Sequence, residues 1–211
     1  MAGGGGTQRG SSEGHGADPE RDRLIAAFGK AASEHGYRDL TVDQVARYAG
    51  TSRARIEAYF GSKEQGLVAA QDAFLDRLWL DALEACAGAE DWPVKVRAAM
   101  RSVIASLVEA STLARVFAVE ATAVSFAAAE RQLAVLDAFA KLLQEGRRTS
   151  PAASSLPPVT ERALIGGIAS IITGFLLAEE PQALAALETE LVELVLLPYV
   201  GPQQARRIAR A

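Results

Sequence analysis

Apolar positions recur at helical spacing along nearly the whole chain, so the interruptions carry most of the information. Asp18-Pro19-Glu20 supplies an N-cap oxygen, a proline at the first helical position and an acid in the first turn. The stripe Leu24, Ile25, Phe28, Ala31 and Ala32 follows, and Gly36 is the predicted stop. Thr41 and Gln44 make a capping-box pattern for a second helix that buries Val42, Val45, Ala46 and Ala49. Gly50 breaks it. Ser52 caps a third helix, with Ile56, Tyr59 and Phe60 on the apolar side and Arg53 and Arg55 pointing elsewhere; Gly61 ends it. Ser62, with Gln65 three positions on, caps a fourth that runs through "LVAAQDAFLDRLWLDALEAC".

From there every segment reads as helix. Breaks are predicted at Gly88–Pro93, around Glu109–Thr112, near Val124, in the loop "TSPAASSLPP" (149–158), at Glu180-Pro181, and from Pro198 to Pro202. The expected fold class is all-α. A glycine-rich tail (1–18) is expected to be disordered, a helix-turn-helix unit spans 19–68, and a larger helical domain spans 69–211.

The short helices explain the first unit. Helices under about 12 residues are marginal in water, so 42–49 and 53–59 must be held by packing on the first and fourth helices. Two short helices joined by a tight glycine turn form a helix-turn-helix, whose second helix presents its outer face to a DNA major groove. Arginines on that face fit this purpose.

Composition supports helices, being 49% hydrophobic but only 6% aromatic. The single Cys86 excludes an intrachain disulfide, and with only two histidines, His15 and His35, no structural zinc site is expected. No apolar leader is expected, since the N-terminal residues carry no apolar run, and the longest apolar stretches, such as "LIGGIASIITGFLLA", read as shorter than a membrane span; a cytoplasmic protein is expected. Net charge is −4. Residues 1–70 are neutral, with 9 basic and 9 acidic side chains, while the stretch 47–63 carries a local +3 from Arg47, Arg53, Arg55 and Lys63 against Glu57. That permits a nucleic-acid surface without establishing one. No nucleophile elbow, P-loop or dinucleotide fingerprint occurs, so no enzymatic activity, metal or cofactor is expected.

The stretch "GYRDLTVDQVARYAGTSRARIEAYFGSKEQGL" resembles the TetR family of bacterial transcriptional repressors, specifically over about residues 20–68. The remainder resembles the family in its all-helical architecture, with a weaker echo in "LVLLPYVG". The resemblance implies a homodimer that binds palindromic operator DNA and is released by a small-molecule effector. It also implies that Thr41 caps the second helix and meets a phosphate, that Ser52, Arg53 and Arg55 open the recognition helix, and that Tyr59 and Lys63 touch the backbone. Three departures stand out. Glu57 and Ala58 replace phosphate-contacting residues, and Glu57 is expected either to accept from a cytosine or to hold Arg53 by an i, i+4 pair. Phe28 sits a turn before Ala32, where the large aromatic is usual, suggesting a swap of volume. Gly66 stands where a leucine is usual.

For the larger domain the readings stay open. Trp79, Met100, Ile104, Phe117, Phe126 and Ile172 are candidates to line a cavity for a mostly apolar effector, or are plain core. Gly166, Ser170 and Gly174 are spaced for close helix approach, either inside the monomer or, with Leu187, Leu191 and Leu194, across a dimer interface. The competing reading is a helical interaction module, or a DNA-binding regulator without an effector.

Overall fold

The computed structural model describes residues 18–211; of the expected 1–18 tail, residues 1–17 lie outside the described residues, and Asp18 belongs to the first helix cap. Among the described residues the architecture is all-α, with no strand.

The N-terminal caps form as their chemistry requires. Asp18 accepts from the backbone N–H groups of Glu20 and Arg21 and opens α1 (Pro19–Asp39). Gly36, at φ 77°, kinks the chain where the stop was expected, and a last turn follows it. Thr41 and Gln44 close a reciprocal capping box on α2 (Val42–Ala49), which ends at the left-handed Gly50. Ser52 caps α3 (Arg53–Phe60) by accepting from Arg55 N–H at 3.3 Å. Ser62 caps the long α4 (Lys63–Cys86) by accepting from Gln65 N–H at 3.2 Å.

Phe28 and Gly66 account for each other. A Cβ on Gly66 would lie 2.1 Å from the Phe28 ring, which is itself fully buried and stands edge-on to Phe60. The aromatic fills the space a side chain at 66 would take, so the volume swap is between these two positions as well as along α1.

The second part comprises α5 (Trp92–Glu109), α6 (Ser111–Arg115), a π-helical turn (Val116–Glu120), α7 (Ala121–Val124) and α8 (Phe126–Leu143). A 3₁₀ segment (Gln144–Arg148), α9 (Pro151–Ser154), α10 (Thr160–Leu177), α11 (Pro181–Ala186), α12 (Glu188–Val200) and α13 (Pro202–Ala209) complete it. Three features depart from expectation. The 149–158 loop contains the short α9, and Arg147 holds the loop by donating to the carbonyls of Leu156 and Pro157 at 2.6 and 2.8 Å. The stretch 183–197 is divided at Leu187 rather than continuous. Helix α12 persists through Pro198, so the turn falls at Gly201, φ 78°. Pro198 lacks the N–H that would bond the Leu194 carbonyl, and its ring crowds that carbonyl, so α12 forgoes one hydrogen bond in its last turn.

The core does not stop at residue 68. Leu24, Phe28, Val45, Ile56, Phe60 and Leu67 pack in one cluster with Val116, Phe117, Ala121 and Ala128. Gln71 on α4, 1% exposed, strengthens this junction by donating to the carbonyls of Phe117 and Ala128, each at 3.2 Å. The larger domain is therefore fastened to the helix-turn-helix unit by shared apolar packing and a buried amide.

Helix α10 is long and apolar enough, by length and composition, to cross a membrane, contrary to the estimate from its sequence, and only 17% of it is buried. It packs on α8 and α11. A buried cluster anchors its start: Glu161, 1% exposed, accepts from Arg147 Nε and Nη2 at 2.8 and 2.7 Å and from the Tyr199 hydroxyl at 3.1 Å. Burial pushes the Glu161 carboxyl up, but the hydrogen bonds from Arg147 and Tyr199 outweigh it and hold the group below the ordinary carboxylate value.

Candidate nucleic-acid interface and internal cavity

On α3 the apolar side, Ile56 and Phe60, is buried, and Ser52, Arg53, Ala54, Arg55, Glu57 and Ala58 are exposed. The capping serine and the inward pair thus fix which face turns outward. Both arginines on that face are engaged. Arg53 Nε donates to Glu57 Oε1 at 2.7 Å, the i, i+4 pair anticipated above, and its Nη1 lies 3.9 Å from Asp43 on α2. Arg55 reaches back to α1, where its Nε and Nη2 bond Glu20 Oε1 and Oε2 at 2.9 and 2.5 Å. The Tyr59 hydroxyl donates to the same Oε2 at 2.9 Å, and the Arg55 guanidinium lies 4.9 Å from the centre of the Tyr59 ring. Hydrogen bonds from Arg55 and then Tyr59 lower the Glu20 carboxyl from its ordinary 4.5 to about 2. The Arg55 guanidinium is correspondingly raised, first by the hydrogen bond to Glu20.

Thr41 is exposed at the start of α2 with its oxygen already in the capping box. Lys63, half-buried at the start of α4, donates to the carbonyl of Arg38 at 3.3 Å. Glu20 was the residue missed by sequence reasoning. It was read only as an acid in the first turn of α1, and its pairing spans 35 positions, beyond any local signal.

A cavity of about 430 Å³ lies between α4, α5, α8 and α10. Its lining is almost wholly apolar, with Phe74, Leu78, Val103, Phe139 and Ile168 among its walls and Lys95, Gln132 and Thr173 among its few polar members. From Phe74 to Cys86 on α4 it extends over about 18 Å at the rise of an α-helix, so it is elongated. Of the expected lining residues, Met100 and Ile172 do line it. The other four do not. Ile104 and Phe117 are 2% and 1% exposed within the core. Trp79 stands behind the wall, edge-on to Phe139 at 5.1 Å, because it is one helix step past the inward Leu78. Phe126 is 79% exposed at the start of α8, where Ser125 breaks the chain.

Ala118, in the π-helical turn, also lines the cavity. Two residues on, Glu120 accepts the backbone N–H of Tyr37 at 3.0 Å and pairs with Arg115 at 2.5 Å. Tyr37 is the first residue after the Gly36 kink, where a Cβ would meet the Glu120 carboxylate at 3.2 Å. Cavity wall and helix-turn-helix unit are thereby joined through one short turn.

The outer side of α10 is bare. Gly166, Ser170 and Gly174 are exposed, and a Cβ on either glycine would meet nothing within 4 Å. Packing of this stripe inside the monomer is therefore excluded. Leu194 is 42% exposed, but Leu191, at 3%, belongs to the core and Leu187 packs partly against it. The expected three-leucine stripe fails because the inward face of α12 runs through Leu191, Val192, Val195, Leu196 and Tyr199, and Leu194 lies off it.

Residues 24–70 match the model for bacterial regulatory proteins of the tetR family. Over these residues the helix-turn-helix unit is similar to that family. It is 34% identical over 109 residues to the HTH-type transcriptional regulator BetI of Rhizobium meliloti (strain 1021), covering 51% of this chain and 50% of that one. The chain thus spans about half the length of this curated relative. Among solved structures it is similar to the fatty acid degradation regulator FadR of Bacillus halodurans, with TM-score 0.76 and 23% identity over 86% of this chain and 96% of that one. FadR of Bacillus subtilis, solved in complex with stearoyl-CoA, aligns with TM-score 0.72 and 20% identity over 85% and 98% of the two chains. The fold shared with these two structures therefore extends through the helical domain that carries the cavity.

Proposed function

We propose that this chain is a tetR-family regulator, a homodimeric repressor that binds a palindromic operator and is released by a small apolar effector. The observation that carries the reading is the elongated cavity whose wall, Ala118, shares a turn with Glu120 and so with the helix-turn-helix unit. Thr41, Ser52, Arg53, Arg55, Tyr59 and Lys63 form the DNA surface, Arg55 reading base edges and Lys63 contributing affinity and salt dependence through phosphate. Two half-sites about 34 Å apart need two recognition helices. The bare face of α10, with Gly166, Ser170 and Gly174 beside the exposed Leu177 and with Leu194 on α12, supports a self-complementary contact between two copies.

The cavity supports an effector with a long, flexible apolar portion, of the kind seen with the B. subtilis FadR neighbour, whose ligand is stearoyl-CoA. The domain division at residue 68 is retained as a functional one, with α4 and the 116–120 turn as the joint. Action in the cytoplasm follows from this role.

An effector shifts an equilibrium only by its difference in affinity for the two states. The test measures affinity for a duplex selected from random DNA, at fixed salt, with and without long-chain fatty acids and acyl-CoAs. A compound that binds and weakens the DNA complex is expected. Compounds that bind in the cavity while leaving DNA affinity unchanged would sink the reading of effector release.

A further inference from the structure

Arg55 offers five N–H donors. Glu20 takes two of them, on Nε and one edge of Nη2, in the side-on fork at 2.9 and 2.5 Å. Of the remaining three, one on Nη1 and one on Nη2 form a second fork at the end of the guanidinium, of the geometry that fits guanine O6 and N7, with Nη2 also 3.4 Å from the Tyr59 hydroxyl. The Tyr59 ring beneath the guanidinium, 4.9 Å from its centre, removes a further freedom. Tyr59 also fixes Glu20 itself by donating to Oε2 at 2.9 Å. Arg55 is thus held at its side edge by a carboxylate from a different helix before any DNA arrives. A long side chain ordered in advance loses less rotamer freedom on binding. Moreover, a carboxylate beside the guanidinium repels phosphate, which disfavours the alternative of Arg55 swinging to the backbone.

The geometry points to Glu20 as a specificity-determining positioning residue, which holds the free fork of Arg55 toward a base edge and denies it to phosphate. This rests on the DNA-binding reading of α3. Arg53 is braced more loosely: its hydrogen-bonded partner Glu57 lies on its own helix and moves with it, and Asp43 of α2 stands 3.9 Å away, beyond hydrogen-bond reach. The two arginines therefore differ in role: Arg55 discriminates, and Arg53 is the more freely redirected charge.

The test compares wild type, Glu20→Gln, Arg55→Ala and the double variant on two probes at fixed salt. One is a duplex selected from a random pool by the wild-type protein, the other a scrambled duplex of the same length. Glu20→Gln is expected to lower the ratio of selected to scrambled affinity by roughly fivefold or more, the low end of what one bidentate pair discriminates. Binding to the scrambled duplex should tighten, with a salt slope steeper by about one, as Arg55 turns to phosphate. In the Arg55→Ala background Glu20→Gln should change the ratio no further. An unchanged ratio in the single variant overturns the inference, as does an equal loss with and without Arg55, which would mean that Glu20 acts through the fold of α1. A wild-type protein that enriches no duplex overturns the DNA-binding reading itself.

Discussion

The carboxylate of Glu120 accepts the backbone N–H of Tyr37 at 3.0 Å across 83 positions of sequence. It satisfies a donor that the Gly36 kink takes out of the α1 hydrogen-bond pattern, and it does so from the turn that also contributes Ala118 to the cavity wall. A buried or half-buried N–H without a partner is costly, so the joint between the two parts of the molecule has a defined geometry. Glu120→Ala should expose the Tyr37 amide to faster hydrogen exchange, while Glu120→Gln, which keeps an acceptor, should preserve its protection. Equal exchange in both variants would remove Glu120 from the joint.

If that turn transmits cavity occupancy, a side chain grown into the cavity from the wall should imitate an effector. Ala118→Phe is expected to weaken binding to selected DNA without unfolding the protein, measured by anisotropy and by circular dichroism. Undiminished affinity in a folded variant would contradict the proposed route.

Phe28 and Gly66 share one volume, and each should be intolerant alone. Phe28→Ala should cost about 3–5 kcal/mol, as large aromatic truncations in cores do. Gly66→Leu should also destabilise, because its Cβ alone would fall 2.1 Å from the ring. The pair together should recover part of the loss, since the leucine occupies the vacated space. Additive losses in urea denaturation would show that the two do not compensate.

Glu161 is the most deeply buried acid among the described residues, and its fork with Arg147 closes the 149–158 loop onto α10. Removing one partner leaves the other charge uncompensated, so Arg147→Ala should cost on the order of 3 kcal/mol. A loss comparable to that of an exposed ion pair, well under about 1 kcal/mol, would contradict the role given to it.

The Glu20 carboxyl is lowered in the folded protein, so its pairing contributes fully above pH 4.5 and is lost as pH falls through about 2. Carbon-13 shifts of its side-chain carboxyl should titrate near the lower figure. In Arg55→Ala the midpoint should return toward 4.5, the ordinary value. An unshifted midpoint in the wild type would mean that the clamp is not populated in solution.

How much of this was legible in sequence follows the range of the interactions. Caps are local chemistry, and Asp18, Thr41, Ser52 and Ser62 all cap where their spacing placed them. The Arg53–Glu57 pair was legible for the same reason. Glu20–Arg55 and Glu120–Tyr37 are made by tertiary packing and left no periodic trace. Cavity lining failed at Trp79 because one residue of helix is about 100° of rotation, which hydrophobicity alone does not resolve. Leu191 failed because it shares the inward face of α12 with Val195 and Tyr199, while Leu194 lies off that face, and hydrophobicity alone does not tell the faces of an apolar helix apart. The inward Gln71 broke the apolar pattern of α4 without revealing that its partners would be the carbonyls of Phe117 and Ala128.

Fluorescence anisotropy with DNA from upstream of the protein's own gene, against scrambled DNA at two salt concentrations, tests the central claim most directly. The wild type should bind the first tightly and lose affinity steeply with salt, and Arg53→Ala/Arg55→Ala should abolish the preference. Should wild type and double variant bind both duplexes equally and weakly, with selection from random DNA also enriching nothing, α3 is no recognition helix and the account fails.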